Sequence, residues 1–598
     1  MLNPTKRKLL GPSFQFGIQV PRNQKEALLL DQKHGNNNWS NAMSAEIESL
    51  HEYNTFSDMG PITHFPGYKN IIVQWVFAVK HDLRHKARLV AGGHLTHDPQ
   101  DGSAYSSVVS LRSIRIALLA AELNNLHTMV GDISSAYLEA PTQEQVAIIA
   151  GPEFGDFAGH LLIIKRALYG LRTSGARWHI RFAETLCDMG YSPTKSDPDV
   201  WIKDCGTHYE YVCVYVDDIM MMGKNPEEFF KTLTEKYNYQ LKGVSEPTYH
   251  LGGDFFRDPD GTLAWGASTY IKKMLLNYEH MFHEKPKEYS APMAEKDHPE
   301  LDLTPELDDL GIKQYQSLIG ALQWLVSLGR FDIHVGVTTM GSYRVAPREG
   351  HLLRLKRIYG YLRKFPSGAT RFRTNIPSHD HLGPVPKYDW ATSIYGTGPE
   401  ELPHDQPEPK GNPVRTSFYC DANLKHNFIT GCSMSGVIHF VNQTPVQSFS
   451  KLQNVVETAT YGSEFMVARQ ATEQIMDLRY TIRMMGIPLD GPAWLFGDNS
   501  SVIISSNIPA STLNKRHNAL SYHRVREAIA TGVINFIHIP GKQNPSDILT
   551  KFLSYAVFWP LIRPILFWTG ETISAISKLI SHSGLRGVSK GPGTASTC

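Results

Sequence analysis

The first block with a clear hydrophobic period is WSNAMSAEIESLHEYNTF, where Trp39, Met43, Ile47 and Leu50 recur at helical spacing after a polar stretch, residues 1–38. Two strand-like runs follow, IIVQWVFAVKHDL and KARLVAGG, the second closed by Gly92-Gly93. They predict a β-ribbon carrying Lys80, Lys86 and Arg88. SLRSIRIALLAAELN has the density of a buried helix, and the apolar run after it, in HTMVGDISSAYLEA, delivers Asp132 to a strand end. LLIIKRALYGLRTSGARWHIRFAETLCDMGY predicts a strand, a turn and a helix. VCVYVDDIMMMG is a short β-rich run split by two adjacent carboxylates, with a helix expected from Pro226 to about Tyr237.

From about residue 265 to 370 the pattern is mostly helical. Residues 371–415 are rich in Pro, Gly and His without periodicity and are expected to be a linker. A second folded unit then begins with TSFYCDAN, SMSGVIHFV and TPVQSFSKL. It continues through a long helix containing Glu464, a strand AWLFGDNS, a helix, a strand INFIHIPG and a last helix beginning near Asp547. A meander followed by strand and helix alternation predicts an α/β unit on a mixed sheet. No repeat of solenoid period is present.

Composition narrows the class. With 598 residues, 41% apolar and 20% charged, the chain is globular and long enough for about three to five domains, which excludes disordered, collagenous and small disulfide scaffolds. Lys and Arg number 59 against 58 Asp and Glu, so a nucleic-acid partner must be met by local clusters of charge. The six cysteines form no CxxC pair, which argues against a disulfide framework and a zinc finger and points to a reducing compartment. The N-terminus has no apolar leader, and YAVFWPLIRPILFW is broken by Pro560, Arg563 and Pro564. A soluble, unprocessed intracellular protein without membrane contact is the expectation.

The sharpest chemical signal is YVDD. Asp217 and Asp218, flanked by Val212, Val214, Val216 and Ile219, are costly in apolar surroundings unless they face a cation. A tight turn at the pair would let one or both approach a metal, and Asp132 is positioned to add a third oxygen. Three carboxylates holding two Mg²⁺ ions roughly 3.5 to 4 Å apart would activate a 3′-hydroxyl and stabilise a leaving pyrophosphate. An Asp-Asp pair is equally the content of an ordinary hairpin turn, and the dipeptide alone leaves both open.

The ordered set KARLVA, GDISSAYL, ALYGLRTSGARWH, YVDD and YHLGGDF resembles the reverse transcriptase of Ty1/copia-type LTR retrotransposons, from about residue 15 to about 560. The resemblance implies an α+β right-hand polymerase whose palm acids match Asp132, Asp217 and Asp218. It places Lys86 and Arg88 on a fingers ribbon that meets the incoming triphosphate, a role suited to charge-assisted bonds. It makes Tyr137 the aromatic floor under the nucleotide sugar, where a core tyrosine is the competing role. The segment from Leu168 to Trp178 would support the templating base, although the usual Ser-Pro is here Ser174-Gly175. YHLGGDF matches the primer-positioning hairpin, with Leu251 and Gly252 in the corresponding places.

In the second unit YCDAN, YGSEF, FGDNS and NPSDILTK are similar, in order, to the ribonuclease H domain of the same elements. Asp421, Glu464, Asp498 and Asp547 match its four carboxylates, which imply a further pair of Mg²⁺ ions, with Mn²⁺ as a substitute. The departures are Asn423, where a second Asp is common, and Leu424, where an aromatic is usual. His523 and His538 are structural histidines or proton-handling groups beside that site. Between the units, Arg344 to Arg373 holds nine Lys or Arg against the single acid Glu349, and Arg354, Lys356 and Arg357 are expected either to bind duplex phosphates or to face solvent.

The expected divisions are an N-terminal extension 1–38, fingers and palm 39–255, a helical thumb and connection 256–370, the linker 371–415, an α/β ribonuclease H-like domain 416–553 and a C-terminal tail 554–598. The expected function is RNA-directed DNA synthesis with ribonuclease H cleavage. The alternatives are a catalytically silent nucleic-acid-binding remnant and a chain active only as the nuclease. The implied partners are an RNA template, a DNA or tRNA primer, RNA-DNA hybrid, dNTPs and other element-encoded proteins. The implied location is the cytoplasm, within a virus-like particle, or the nucleus.

Overall fold

The computed structural model describes residues 13–15, 18–80, 83–96, 104–379, 382, 385–513 and 516–569, so parts of the N-terminal extension and of the C-terminal tail lie outside the described residues. The chain starts with two helices, α1 (Gln24–His34) and α2 (Asn38–Glu52). The second buries Trp39, Met43 and Leu50 as its periodicity predicts. The first lies in a stretch that reads as polar, because it buries only Ala27, Leu30 and Asp31. Asn23 caps its first turn, and Asp31 reaches forward to accept the Trp39 and Ser40 N–H groups, so one acid caps the next helix from outside. Strands β1 (Val73–Val79) and β2 (His85–Ala91) pair antiparallel as the expected ribbon.

Helix α3 (Leu111–Leu123) is capped by Ser110 and buried on almost every side. It is followed by β3 (His127–Ile133), α4 (Ser174–Asp188), β4 (Val200–Asp204), β5 (Tyr209–Tyr215), β6 (Asp218–Gly223), α5 (Pro226–Glu235) and β7 (Leu241–Ser245). These strands and Ser192–Pro193 form a six-stranded antiparallel sheet in the order Ser192–Pro193, β4, β5, β6, β3, β7. α3 covers one face of this sheet. α4 and α5 bury Trp178, Phe182, Phe229 and Phe230 on the other.

A four-stranded sheet follows, built from β8 (Tyr249–His250), β9 (Gly253–Arg257), β10 (Leu263–Gly266) and, after four α-helices, β11 (Ala369–Arg371). The principal helices between are α6 (Ser268–Phe282), α7 (Asp309–Ser327), α8 (His334–Gly341) and α9 (Glu349–Lys364). The last unit has β12 (Thr416–Asn423), β13 (Met434–Val441), β14 (Thr444–Leu452), α10 (Thr460–Met484), β15 (Ala493–Gly497), α11 (Ser500–Asn507), α12 (Ala519–Ala530) and β16 (Ile534–His538). Its sheet order is β14, β13, β12, β15, β16, antiparallel through the first three strands and parallel thereafter. This is the mixed sheet that the meander and alternation predict.

Two elements depart from the sequence reading. Asp547 lies in a 3₁₀ turn, Pro545–Leu549, not in a long helix. The helix comes afterwards, as α13 (Tyr555–Leu566), within the residues set apart as a tail. It forms despite Pro560 and Pro564, and it buries Phe558, Leu561, Ile562, Ile565 and Leu566. Its Pro564 and Leu566 carbonyls accept from Arg373 and Arg371. One apolar core runs without interruption from Val109 on the way into α3 to Leu566 in α13, and a separate core serves the N-terminal helices and ribbon. Among the described residues, no helix is long and apolar enough to cross a membrane.

Two candidate active sites

The first site is made by register. β5 and β6 are joined by a two-residue turn, Val216 and Asp217, with Tyr215 opposite Asp218. Across the next pairing, Asp218 is opposite Asp132 of β3, and direct partners share a face, so both carboxylates stand together. Val216 sits at φ 61°, a left-handed conformation that a β-branched residue strongly resists. Trp178 Nε1–H holds its carbonyl at 2.8 Å, and Ile133 N–H holds that of Asp217 at 2.9 Å. The strained turn that presents Asp217 is therefore fixed by α4 and β3.

Burial, with the repulsion of Asp217 and Asp132, pushes Asp218 up to about 7. Asp132 is raised by burial and Asp217. A cavity of about 350 Å³ lies over these acids, lined by Asp132 and Asp217 below and by Lys80, Lys86 and Arg88 of the ribbon above. Burial and the neighbouring cations Arg88 and Lys80 lower Lys86 to about 8. Glu46 of α2 lines the same cavity and accepts the Leu89 N–H at 3.3 Å. The Arg88 guanidinium lies 4.4 Å over the Tyr169 ring, and Tyr137 lies 5.1 Å from Tyr169 between ring centroids. Tyr137 is thus beside the cavity wall, with its hydroxyl close to Gly175.

Leu251 and Gly252 make the two-residue turn between β8 and β9, both with positive φ, at 50° and 88°. Gly252 lies against Trp324 of α7, whose ring is 6.5 Å from that of Tyr215. The hairpin is therefore tied by one indole to the strand that ends at the Val216–Asp217 turn.

The basic stretch differs from the expectation of free cations. Arg354 binds Asp297 through two nitrogens, at 2.7 and 2.8 Å, and also reaches Asp302. Lys356 pairs with Glu284 at 2.9 Å and lies 4.0 Å over Phe282, and Arg357 lies 4.4 Å over Tyr289. The physical reason is that residues 284–302, far in sequence, fold back along α9 and bring their own acids and rings. None of the three stands as an unoccupied phosphate contact.

The second site gathers its acids from four elements. Asp421 is in β12, Glu464 is in the first turns of α10, Asp498 follows β15, and Asp547 is in the 3₁₀ turn. Carboxylate oxygens of Asp421, Asp498 and Asp547 all lie within 4.8 Å of one another. Gly436, opposite Asp421 in β13, admits this approach: a Cβ there would sit 2.6 Å from Thr550 and 2.9 Å from Leu549. Glu464 is buried beside the trio, accepts from the Ala422 N–H, and is held well above the usual carboxylate range by burial, Asp421 and Asp498. Burial and Asp421 push Asp547 up to about 7 and also raise Asp498.

Lys551 supplies the charge that these acids lack, 2.6 Å from Asp547 and 3.2 Å from Asp421, while the Thr550 hydroxyl donates to Asp421. The sequence reading missed Lys551, although its place four residues after Asp547 was a usable signal. It also missed Glu46, and it did not single out Tyr169 or the anchoring role of Trp178, which only the tertiary contacts reveal. His538 faces the Asp498 carbonyl at 3.1 Å, whereas His523 is bonded to Tyr395 of the linker at 2.6 Å. Asn423 bonds the Thr550 carbonyl and His426, so it braces the acid-bearing turn.

Residues 62–288 match the family described as reverse transcriptase (RNA-dependent DNA polymerase). The chain is 26% identical over 530 residues to the retrovirus-related Pol polyprotein from transposon RE1 of Arabidopsis thaliana, covering 87% of this chain and 33% of that protein. It is 23% identical over 516 residues to the transposon Ty1-BL Gag-Pol polyprotein of Saccharomyces cerevisiae, covering 81% of this chain and 26% of the relative. The chain therefore spans about a third or less of the length of these relatives. A solved structure of the foamy viral protease-reverse transcriptase in complex with RNA/DNA hybrid is similar at a TM-score of 0.30 and 12% identity, over 91% of this chain and 78% of that one.

Proposed function

We propose that this chain, whose sequence resembles that of a Ty1/copia-type reverse transcriptase, is an RNA-directed DNA polymerase that also cleaves the RNA strand of its RNA-DNA hybrid product. One observation carries the reading. Asp132 and Asp218 are register partners with Asp217 on the adjoining turn, and the ribbon lowers Lys86 and Arg88 into the same cavity. In this reading residues 39–255 are fingers and palm, 256–370 thumb and connection, 371–415 the linker and 416–553 the ribonuclease H-like domain. The substrates are an RNA template, a DNA or tRNA primer and dNTPs, and the setting is a cytoplasmic particle built with other element-encoded proteins.

Both donor sets suit a hard divalent cation, Mg²⁺ first and Mn²⁺ in its place, because all seven ligands offer oxygen. The residues fit such a group: burial and crowding raise the proton affinity of Asp132 and Asp218 in one set and of Glu464, Asp498 and Asp547 in the other, and Lys551 already lies in the cationic position of the second. Bound there, Mg²⁺ would make the attacking hydroxyl or water more acidic and stabilise the leaving oxygen. The chain's own groups do the rest. Lys86 and Arg88 hold triphosphate oxygens through charge-assisted bonds. Tyr137 lies under the sugar, and the Leu251–Gly252 turn sets the primer end against Asp217. Asp421, Glu464, Asp498 and Asp547 orient the hybrid phosphodiester.

The test is primer extension on an RNA template beside cleavage of a preformed hybrid. Asp217→Asn should abolish extension and spare cleavage, and Glu464→Gln should do the reverse, since no carboxylate is shared between the sites. Equal loss of both activities in either folded variant would refute the two-site assignment.

A further inference from the structure

Away from both acid clusters, the hairpin of β4 and β5 gathers metal-ligating groups of another chemistry. Asp204 is paired with Tyr209 and Lys203 with Glu210, so the same register sets Cys205 opposite His208, where Cys205 N–H bonds the His208 carbonyl at 3.0 Å. The two flank a two-residue turn, Gly206 and Thr207, with Gly206 at φ 84°. Direct partners share a face and so do residues two apart, so Cys205, His208 and Glu210 all project from one side. Ligand atoms of the three lie within 4.8 Å of one another. The clustering is thus imposed by backbone pairing.

Two further observations point to a ligand. His208 Nε2 is buried and has no hydrogen-bond partner, a state that is unfavourable for a buried polar atom if nothing fills it. Its other nitrogen, Nδ1, lies 3.0 Å from the Thr207 hydroxyl, which suits the tautomer that leaves Nε2 with a free lone pair. Glu210 is likewise held from behind: the Tyr191 hydroxyl donates to one oxygen at 3.1 Å and the Lys224 N–H to the other at 3.3 Å. Gly223 leaves room for this carboxylate, since a Cβ there would sit 2.6 Å from its oxygen. Lys203, on the same face, lies with its ammonium 5.3 Å over the Tyr191 ring.

We propose that this hairpin binds one thiophilic divalent cation, Zn²⁺ by ligand class, through Cys205 Sγ, His208 Nε2 and the Glu210 carboxylate, with water completing the shell. Thiolate and imidazole select Zn²⁺ over the Mg²⁺ of the acidic sites. On binding, the Cys205 S–H bond breaks, its proton passes to solvent and the sulfur pair bonds the cation, with no change of oxidation state. Tetrahedral ligands lie about 3.5 Å apart, so side-chain movements on the order of 1 Å close the site, and Cys205 is exposed. The occupied site would stiffen the sheet corner where Asp204 holds Lys410 and the Tyr209 hydroxyl holds the Glu408 carbonyl of the segment leading to the second unit.

Co²⁺ titration of the chelator-stripped full chain tests this, because a sulfur-to-cobalt charge-transfer band reports thiolate ligation and is silent at carboxylate sites. The band should saturate at one equivalent and bleach when Zn²⁺ is added. Cys205→Ser should abolish it, His208→Ala should weaken binding by about tenfold or more, and Cys187→Ser should leave it intact. Absence of the band, its survival in Cys205→Ser, or indifference to His208→Ala would each overturn the proposal.

Discussion

Asp218 and Asp547 are each pushed up to about 7 from the ordinary 3.8, chiefly by burial and then by neighbouring acids. A carboxyl whose folded pKa is raised favours folding while it stays protonated, and that benefit is lost as pH climbs from its unfolded to its folded value. Without divalent cation, the chain should therefore lose thermal stability between about pH 4 and pH 7. Added Mg²⁺ should flatten that slope. Melting curves across this range in chelator and in Mg²⁺ make the comparison, and parallel slopes would mean that the acids do not bind the cation. Tyr137 is argued at the same scale. Its ring stands against Tyr169 beside the cavity, so Tyr137→Val should raise ribonucleotide insertion relative to deoxyribonucleotide while Tyr137→Phe changes little. Single-nucleotide kcat/KM ratios decide, and unaltered sugar selectivity in the valine variant would make Tyr137 a packing residue.

At the scale of elements, α9 shows how a charge pattern is reinterpreted by its neighbours. Its cations resemble a phosphate-binding stripe until residues 284–302 supply Asp297, Asp302 and Glu284. Arg354→Met strips the counter-charge from two carboxylates in a partly buried setting, a loss of about 1 to 3 kcal/mol after allowance for solvent screening. The expected outcome is a lower melting temperature with an unchanged salt dependence of duplex binding. A true phosphate contact would instead reduce the slope by about 0.9. The hairpins obey a different logic, because their turn lengths and pairings are local. The ribbon of Lys86 and Arg88 forms as its alternation predicts.

At the scale of the whole molecule, the last described helix closes a core that begins more than four hundred residues earlier. α13 packs Phe558 against Tyr361 and Trp559 against Phe365, and its carbonyls satisfy Arg371 and Arg373. Five buried side chains at about 1.5 to 3 kcal/mol each approach the whole stability of an ordinary domain. A chain ended at Leu553 should therefore aggregate or lose its cooperative melting transition, as scanning calorimetry would register. An unchanged transition would show that the helix is dispensable.

The sequence by itself determined the elements and the acids. Periods of two and 3.6 residues are written locally, and Asp132, Asp217 and Asp218 stand out because carboxylates beside apolar runs demand a reason, whereas Asp421, Glu464, Asp498 and Asp547 stand out only through the resemblance of their surroundings to the ribonuclease H motifs. It also carried the antiparallel ribbon and the mixed sheet of the second unit, since their signals lie within a few residues. What only the tertiary structure decided is which group meets which. The strain at Val216 is borne by Trp178, Lys551 lies across Asp421 and Asp547, and Cys205 shares a face with His208 and Glu210. The cations of α9 are quenched, and α1 and α13 turn out to be docked helices. Each of these depends on a partner distant in sequence or on a strand register. Hydrophobic burial decides that partner by bringing surfaces together regardless of separation along the chain.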